Sequence, residues 1–269
     1  MRTASRFFAG LLTAWSHALH NRSLAIAPFL RQQMTWIAAG WIALTGIAAS
    51  LRMAFPATPV HHAWDALPML MAYSAIIAAP VSGYLLARAA FSDDRARRPV
   101  TFHFSFVGKW RKVSPDQASR HPMFGPVGFL ASLLVGLILN VPIRSGEFFL
   151  AVPAMGMHAP DWAMAMFILM SFDVIVMNFF YMVAFVMALR NIPLFPKMLL
   201  FVWLIDIVMQ LALANELGRV GSLPEEVKGP LVTLLEGNLK KVAIGIAIWL
   251  PYMLLSERAN VTYRSRLPA

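Results

Sequence analysis

The chain has 269 residues, of which 59% are apolar and 13% charged, and its mean hydropathy is +0.63. Water-soluble domains run at about 45–50% apolar and about 25% charged, so a soluble enzyme, a disordered chain and a fibrous one are excluded and a polytopic membrane protein is expected. Lys and Arg outnumber Asp and Glu by 23 to 13, a net charge of +10, and with no Cys present, disulfides, cysteine–metal sites and thiol catalysis are excluded as well.

Residues 2–20 come first and have an amphipathic pattern. Phe7, Phe8, Leu11, Leu12, Trp15 and Leu19 fall within an arc of roughly 140° at about 100° per residue, while Arg2, Ser5, Arg6, Thr13, Ser16, His17 and His20 fill the opposite side. This predicts an interfacial helix with its arginines towards anionic lipid at the cytoplasmic face. The alternative is a helix packed on the protein's own cytoplasmic loop. The apolar stretch is too short and too interrupted for a signal peptide.

A bilayer core of about 30 Å needs about 20 apolar residues per helix. Runs that meet this or come close are Met34 to Leu51, Leu67 to Ala87, Gly125 to Ile143, Ala163 to Leu189, Ile192 to Ala214 and Val242 to Leu255. The last is short and crosses only if its helix begins earlier, with Lys240 and Lys241 snorkelling. Six alternating spans place 17 cations on the side of both termini and 6 on the other, the sorting expected if the termini are cytoplasmic. Between the second and third spans, residues 100–107 alternate strictly. With Gly108-Lys109 as a turn into Trp110–Val113 they predict a small hairpin. The basic residues there follow from sidedness, so no nucleic-acid partner is expected. Before the last span, Ser222 is placed as a helix cap, with Pro224, Glu225 and Glu226 in the first turn. The predicted fold is therefore an all-α membrane helix bundle of six transmembrane helices, with an interfacial helix and a cytoplasmic β-hairpin. The regions are 1–123 and 124–269.

Chemistry is sought in the polar groups left in apolar runs. Asp173 lies 16 residues before the end of the fourth span and Asp206 lies 14 residues after the start of the fifth. A tight turn joins these spans, so the two carboxylates share a depth near the midplane. Gln210 follows Asp206 by one turn, Asn178 is turned away from Asp173, and Asn140 lies in the third span. Each intramembrane Asp costs about 2.5–3.5 kcal/mol to insert. Three readings stay open: a proton or cation relay, hydrogen-bonded glue between helices, or pairing with a basic residue of a partner protein. Arg144 and Glu147 read as an interfacial ion pair closing the third span. His61, His62, Asp65, His158 and Asp161 lie in loops without a metal-binding template, and no cofactor or metal is expected.

The chain closes on Ile248-Trp-Leu-Pro-Tyr-Met-Leu-Leu-Ser-Glu-Arg-Ala-Asn-Val-Thr-Tyr263. This resembles the closing motif of the bacterial membrane-protein family catalogued as domain of unknown function 2569. Trp249, Pro251, Tyr252, Ser256, Arg258 and Thr262 match that motif. Ala259 and Tyr263 stand where the family has Val and Phe. Upstream, Gly128 to Arg144 is similar to the family's opening helix, with Phe129 where Trp is usual, and Phe195-Pro196 resembles the entry to its third helix. The resemblance covers residues 124–264. It implies a four-helix domain of the bacterial inner membrane and carries over no catalytic residue. Pro251 also has a direct physical reading, as a kink or polar notch flanked by Trp249 and Tyr252. The expected role is a non-enzymatic accessory or partner-binding subunit of a membrane complex. The alternative is a small transporter or relay using Asp173 and Asp206.

Overall fold

The computed structural model describes residues 21–92, 108–219 and 223–269. Residues 2–20, the strand expected at 100–107 and the cap expected at Ser222 lie outside the described residues. Chain order is α1 (Ile26–Ala54), a 3-10 turn (Ala63–Ala66), α2 (Leu67–Ala90), β1 (Trp110–Lys112), α3 (Pro115–Ser119), α4 (Phe129–Ala151), α5 (Asp161–Leu189), α6 (Phe195–Arg219), α7 (Glu225–Leu255), α8 (Glu257–Arg264) and β2 (Arg266–Pro268). Helices α1, α2, α4, α5 and α6 are each long and apolar enough to cross a membrane. A sixth crossing is reached if α7 and α8, bent by 74° at Ser256, count as one. The architecture is an all-α bundle with one two-stranded sheet.

Helix α5 is apolar all round and lies at the centre, packed against α2, α4 and α6, as a helix without a polar face must be. Gly83 lets α2 approach α5 closely, because a Cβ there would stand 2.7 Å from the Phe179 carbonyl oxygen. Between α5 and α6 the chain reverses at Asn191, which takes a left-handed conformation (φ 57°) that asparagine tolerates. This short reversal makes α5 and α6 antiparallel neighbours.

The helices run between two ends that polar contacts define. At the first, Arg31 donates to the Leu189 carbonyl and Arg190 to those of Arg88 and Phe91. There too the Ser23 hydroxyl accepts from the Gly128 amide, and that of Thr262 from the Gly125 amide. Helix α3 begins beside them with a capping box, in which Ser114 and Gln117 each accept from the other's amide at 3.2 Å. Strand β1 pairs antiparallel with β2, Arg111 opposite Leu267. The start of α1 and the C-terminal tail thus share this end. At the far end, Arg52 donates to the Phe149 and Leu150 carbonyls, and the Ala57 and Gly156 amides bind Ala154 and Thr58.

Among the described residues Trp110–Lys112 pairs with the C-terminal segment, because the bend at Ser256 turns α8 and β2 back across that end. Two expectations, at Pro251 and Pro224, are corrected. Helix α7 runs unbroken through Pro251, and the sharp bend falls at Ser256, where Asn260 donates to the Leu254 and Ser256 carbonyls. Pro224 sits just outside α7 as its cap residue, rather than within the first turn.

The buried apolar residues form two clusters. One, towards the tail end, holds Leu134, Val141, Met177, Phe185, Val202 and Trp203. The other, towards the far end, has an aromatic centre of Tyr73, Phe148, Phe149 and Phe167. Arg144 on α4 and Asp206 on α6 lie between the clusters, and Asp173 on α5 lies at their border.

Candidate functional site

Arg144, Asp173 and Asp206 meet in the interior. The Arg144 Nε and Nη2 donate to the Asp173 carboxylate at 2.9–3.1 Å. Its Nη1 and Nη2 donate to Asp206 at 3.0 and 2.8 Å. The side chains are 8%, 3% and 0% exposed, so this is a fully buried ion triad. The flat five-donor fork of arginine allows one cation to hold two carboxylates at once.

A wider shell completes the site. The Tyr181 hydroxyl donates to Asp206 at 2.8 Å, and the Gln210 amide donates to Asp173 at 3.1 Å. Asn238 of α7 donates to Gln210, and Lys241 to Asn238, both at 3.4 Å. Lys241 also pairs with Glu147. A continuous polar chain therefore runs from the half-exposed Glu147–Lys241 pair through Asn238 and Gln210 to the triad. It joins α4, α5, α6 and α7. Beside it lies a cavity of about 320 Å³, lined in part by Asn140, Tyr181, Trp203, Asp206, Asn238 and Lys241. Arg144 and Asp206 face this cavity. Asp173 lies behind them. Trp249 lines it too and stacks on Phe129 with ring centroids 4.6 Å apart, while Tyr252 meets Phe129 edge-on at 5.0 Å.

Charge counting makes the triad unusual. One guanidinium faces two carboxylates, a net charge of −1 with both acids ionised, and the Glu147–Lys241 pair is neutral. An excess charge away from water strongly favours capture of a counter-charge, which a proton or small cation supplies. The triad can therefore hold the helices together and exchange one positive charge with the cavity.

No family model, no curated protein and no solved structure matches the chain.

Of the residues singled out in the sequence, Asp173, Asp206 and Gln210 converge in one site. Asn178 points elsewhere and donates to Ser145 at 2.8 Å. Asn140 lines the cavity. The pairing of Arg144 with Glu147 is corrected, since Glu147 takes Lys241 instead. The physical reason is helix length: α4 continues to Ala151, so Arg144 lies two turns inside it and its side chain reaches the acids. Phe148-Phe149-Leu150-Ala151 after Glu147 was the signal, since an apolar run that resumes past a charge leaves that charge within the helix. Tyr181, Ser145 and Asn238 had no such signal. In the closing motif, Arg258 donates to the Met123 carbonyl at 3.3 Å and Tyr263 to that of Ala188 at 3.2 Å. The motif thus anchors the last turn of the chain at the tail end, with Trp249 reaching the cavity.

The loop cluster is organised around Asp65. Its carboxylate accepts from the amides of His61 and His62, both at 2.9 Å, with His158 Nδ1 3.6 Å away. Among the described residues, no three His, Cys, Asp or Glu side chains converge as a metal set. The amide of His62, and next that of His61, hold the Asp65 carboxyl below its ordinary value. A depressed carboxyl contributes stability above its unfolded value, near 3.8, and loses it as pH falls through the folded value. Hydrogen exchange of the His61 and His62 amides should therefore quicken below about pH 4. In Asp65→Ala it should already be fast at pH 7.

Proposed function

We propose that this chain is a non-enzymatic multi-pass protein of a bacterial inner membrane, crossing it six times with both termini cytoplasmic. We further propose that the Arg144–Asp173–Asp206 triad is a relay for protons or small cations. The cationic excess on the terminal side supports the orientation. The joint location of the α1 start and the C-terminal tail at one end supports an even number of crossings. In this reading α7 is the sixth crossing. The resemblance of residues 124–264 to the domain of unknown function family belongs to the same proposal, with the Trp249–Phe129–Tyr252 stack at the inner end of the cavity.

The observation that carries the relay is the uncompensated carboxylate beside a cavity, between two helices that bring both acids to one depth. Intramembrane acids of this kind mark ion pathways. Asp206 faces the cavity and is the entry acid. Asp173, behind the guanidinium, receives the charge when Arg144 shifts its bonds between the two carboxylates. The test is flux in proteoliposomes carrying a pH-sensitive dye or loaded with sodium or potassium, under an imposed potential. The parent should conduct one of these ions, and Asp206→Asn should reduce its flux at least tenfold. A parent that conducts none, or a variant that conducts equally, refutes the relay.

A partner-binding accessory role is the second reading. It is favoured by α1, whose Trp36 and Phe55 are 76% and 77% exposed. Recovery of one stoichiometric membrane partner in mild detergent, lost when Trp36 and Leu44 are replaced by Ser, would support it. Elution of the parent alone would oppose it.

A further inference from the structure

The cavity beside the triad is larger and more apolar than the passage of a proton requires. Its volume, about 320 Å³, falls in the range of about 300–1,000 Å³ usual for small-molecule sites. Tyr181, Trp203 and Trp249 line it together with aliphatic side chains such as Leu137 and Val242. Two glycines, Gly136 of α4 and Gly245 of α7, belong to the same lining. A Cβ at Gly136 would meet nothing within 4 Å, and one at Gly245 would stand 3.9 Å from Nε1 of Trp203. Bare backbone at these two positions leaves room that side chains would take.

Among the described residues, the titratable groups around this cavity are Arg144 and Glu147 from α4, Tyr181 from α5, Asp206 from α6 and Lys241 from α7, with Asp173 of α5 behind the guanidinium. Lys241 is paired with Glu147. The excess negative charge therefore belongs to the triad, and Asp206 is its face towards the cavity. Oδ2 of Asp206 accepts from Arg144 and Tyr181, whereas Oδ1 accepts from Arg144. A hard metal cation takes about six or more oxygen ligands, and this wall offers mostly carbon and indole. An organic ammonium ion needs the reverse: one carboxylate for its charge, with carbon and aromatic faces around the rest. Indole rings attract such a cation most strongly, and more so away from water.

The geometry points to this cavity as a binding site for a small organic ammonium ion, which competes with the proton for the charge of the triad. The cationic nitrogen lies beside Asp206, and its carbon groups lie against Trp203, Trp249 and Tyr181. The triad has one negative charge to offset, so proton and ammonium exclude one another. Where the site is protonated, one proton leaves to water for each ammonium ion bound. Where it is already ionised, none leaves. This rests on the relay reading of the triad and names the class of cation that shares it with the proton.

The test is isothermal titration calorimetry of the full chain in lipid nanodiscs. The probes are choline, tetraethylammonium and the uncharged analogue of choline in which carbon replaces nitrogen. At least one ammonium ion should bind at a single site, at least tenfold more tightly than the uncharged analogue. Its Kd should rise by up to tenfold per pH unit once the site is protonated. Titrations there in buffers of different ionisation enthalpy should give close to one proton released. Asp206→Asn should weaken binding at least tenfold and remove its pH dependence. Trp203→Leu should weaken it at least fivefold, and Trp203→Phe should recover part of the loss. Gly136→Leu fills the cavity while keeping every charge, and should also weaken binding at least fivefold. Leu is the better helix former, so that loss is not one of folding. Binding of neither ammonium ion overturns the proposal, as does equal binding of the uncharged analogue or a Kd indifferent to both pH and Asp206→Asn. The relay fails separately. Ammonium bound in this way by a chain that conducts no ion removes the relay and keeps the site, whereas ion flux without ammonium binding does the reverse.

Discussion

Replacing Arg144 by glutamine should cost about 3–5 kcal/mol of stability, read as a fall in Tm of roughly 10 °C or more or as loss of detergent-extractable protein. The reason lies in what the substitution leaves behind. Both carboxylates stay buried, 3% and 0% exposed, and the cation that accounts for five of their hydrogen bonds is gone. Tyr181 and Gln210 supply one donor to each and cannot replace it. Lys241 is engaged with Glu147 and Asn238. The triple variant Arg144→Gln/Asp173→Asn/Asp206→Asn carries no charge at the site and keeps amide donors and acceptors in place. It should recover most of the lost stability. A triple variant as unstable as the single one would mean that shape, and not charge, holds these helices.

The second large effect separates one acid from two. Asp173→Asn or Asp206→Asn alone leaves one guanidinium with one carboxylate, a neutral buried pair, and stability should stay within about 1.5 kcal/mol of the parent. Asp173→Asn/Asp206→Asn together strands the guanidinium without a counter-ion and should again cost about 3–5 kcal/mol. Thermal unfolding of these four proteins should therefore place both single Asp variants and the triple variant near the parent, with a deep drop for the double variant alone. This ordering follows from the −1 charge. If the parent carried a balanced site, removing either acid would be as damaging as removing both. The single Asp variants should thus fold while lacking one acid of the proposed relay, which makes them the right ones for flux.

Much of this was legible in the sequence, for identifiable reasons. The spans are long apolar runs, and composition alone betrays them. Equal depth of Asp173 and Asp206 follows from counting residues either side of a tight turn, and the antiparallel α5–α6 pair places them so. Arg144 was harder. Its neighbours Pro142 and Glu147 suggest a boundary, and only the renewed apolar stretch to Ala151 shows that the helix continues. Tyr181 and Asn238 were beyond reach, because a single Tyr or Asn in an apolar helix reveals neither the direction nor the depth of its partner. Pairing of β1 with β2 was hidden for another reason. Those strands are three residues each and lie some 150 positions apart, so no local pattern links them. The turn at Ser256 that brings them together depends on Asn260 reaching back to two carbonyls, a tertiary arrangement with only short-range polar residues as its trace.

The proposed relay depends on the capture of a single positive charge by the triad. Difference infrared spectroscopy of the reconstituted protein, stepped in pH, reads this directly through the carbonyl stretch of a protonated aspartic acid. The parent should gain one such band as pH falls, reversibly, and that band should be lost or displaced in both Asp173→Asn and Asp206→Asn. The one exception is sodium or potassium as the captured charge, in which case adding that ion should suppress the band. A parent with no protonated carboxyl band at any pH that leaves it folded, and no response to either ion, would contradict the account.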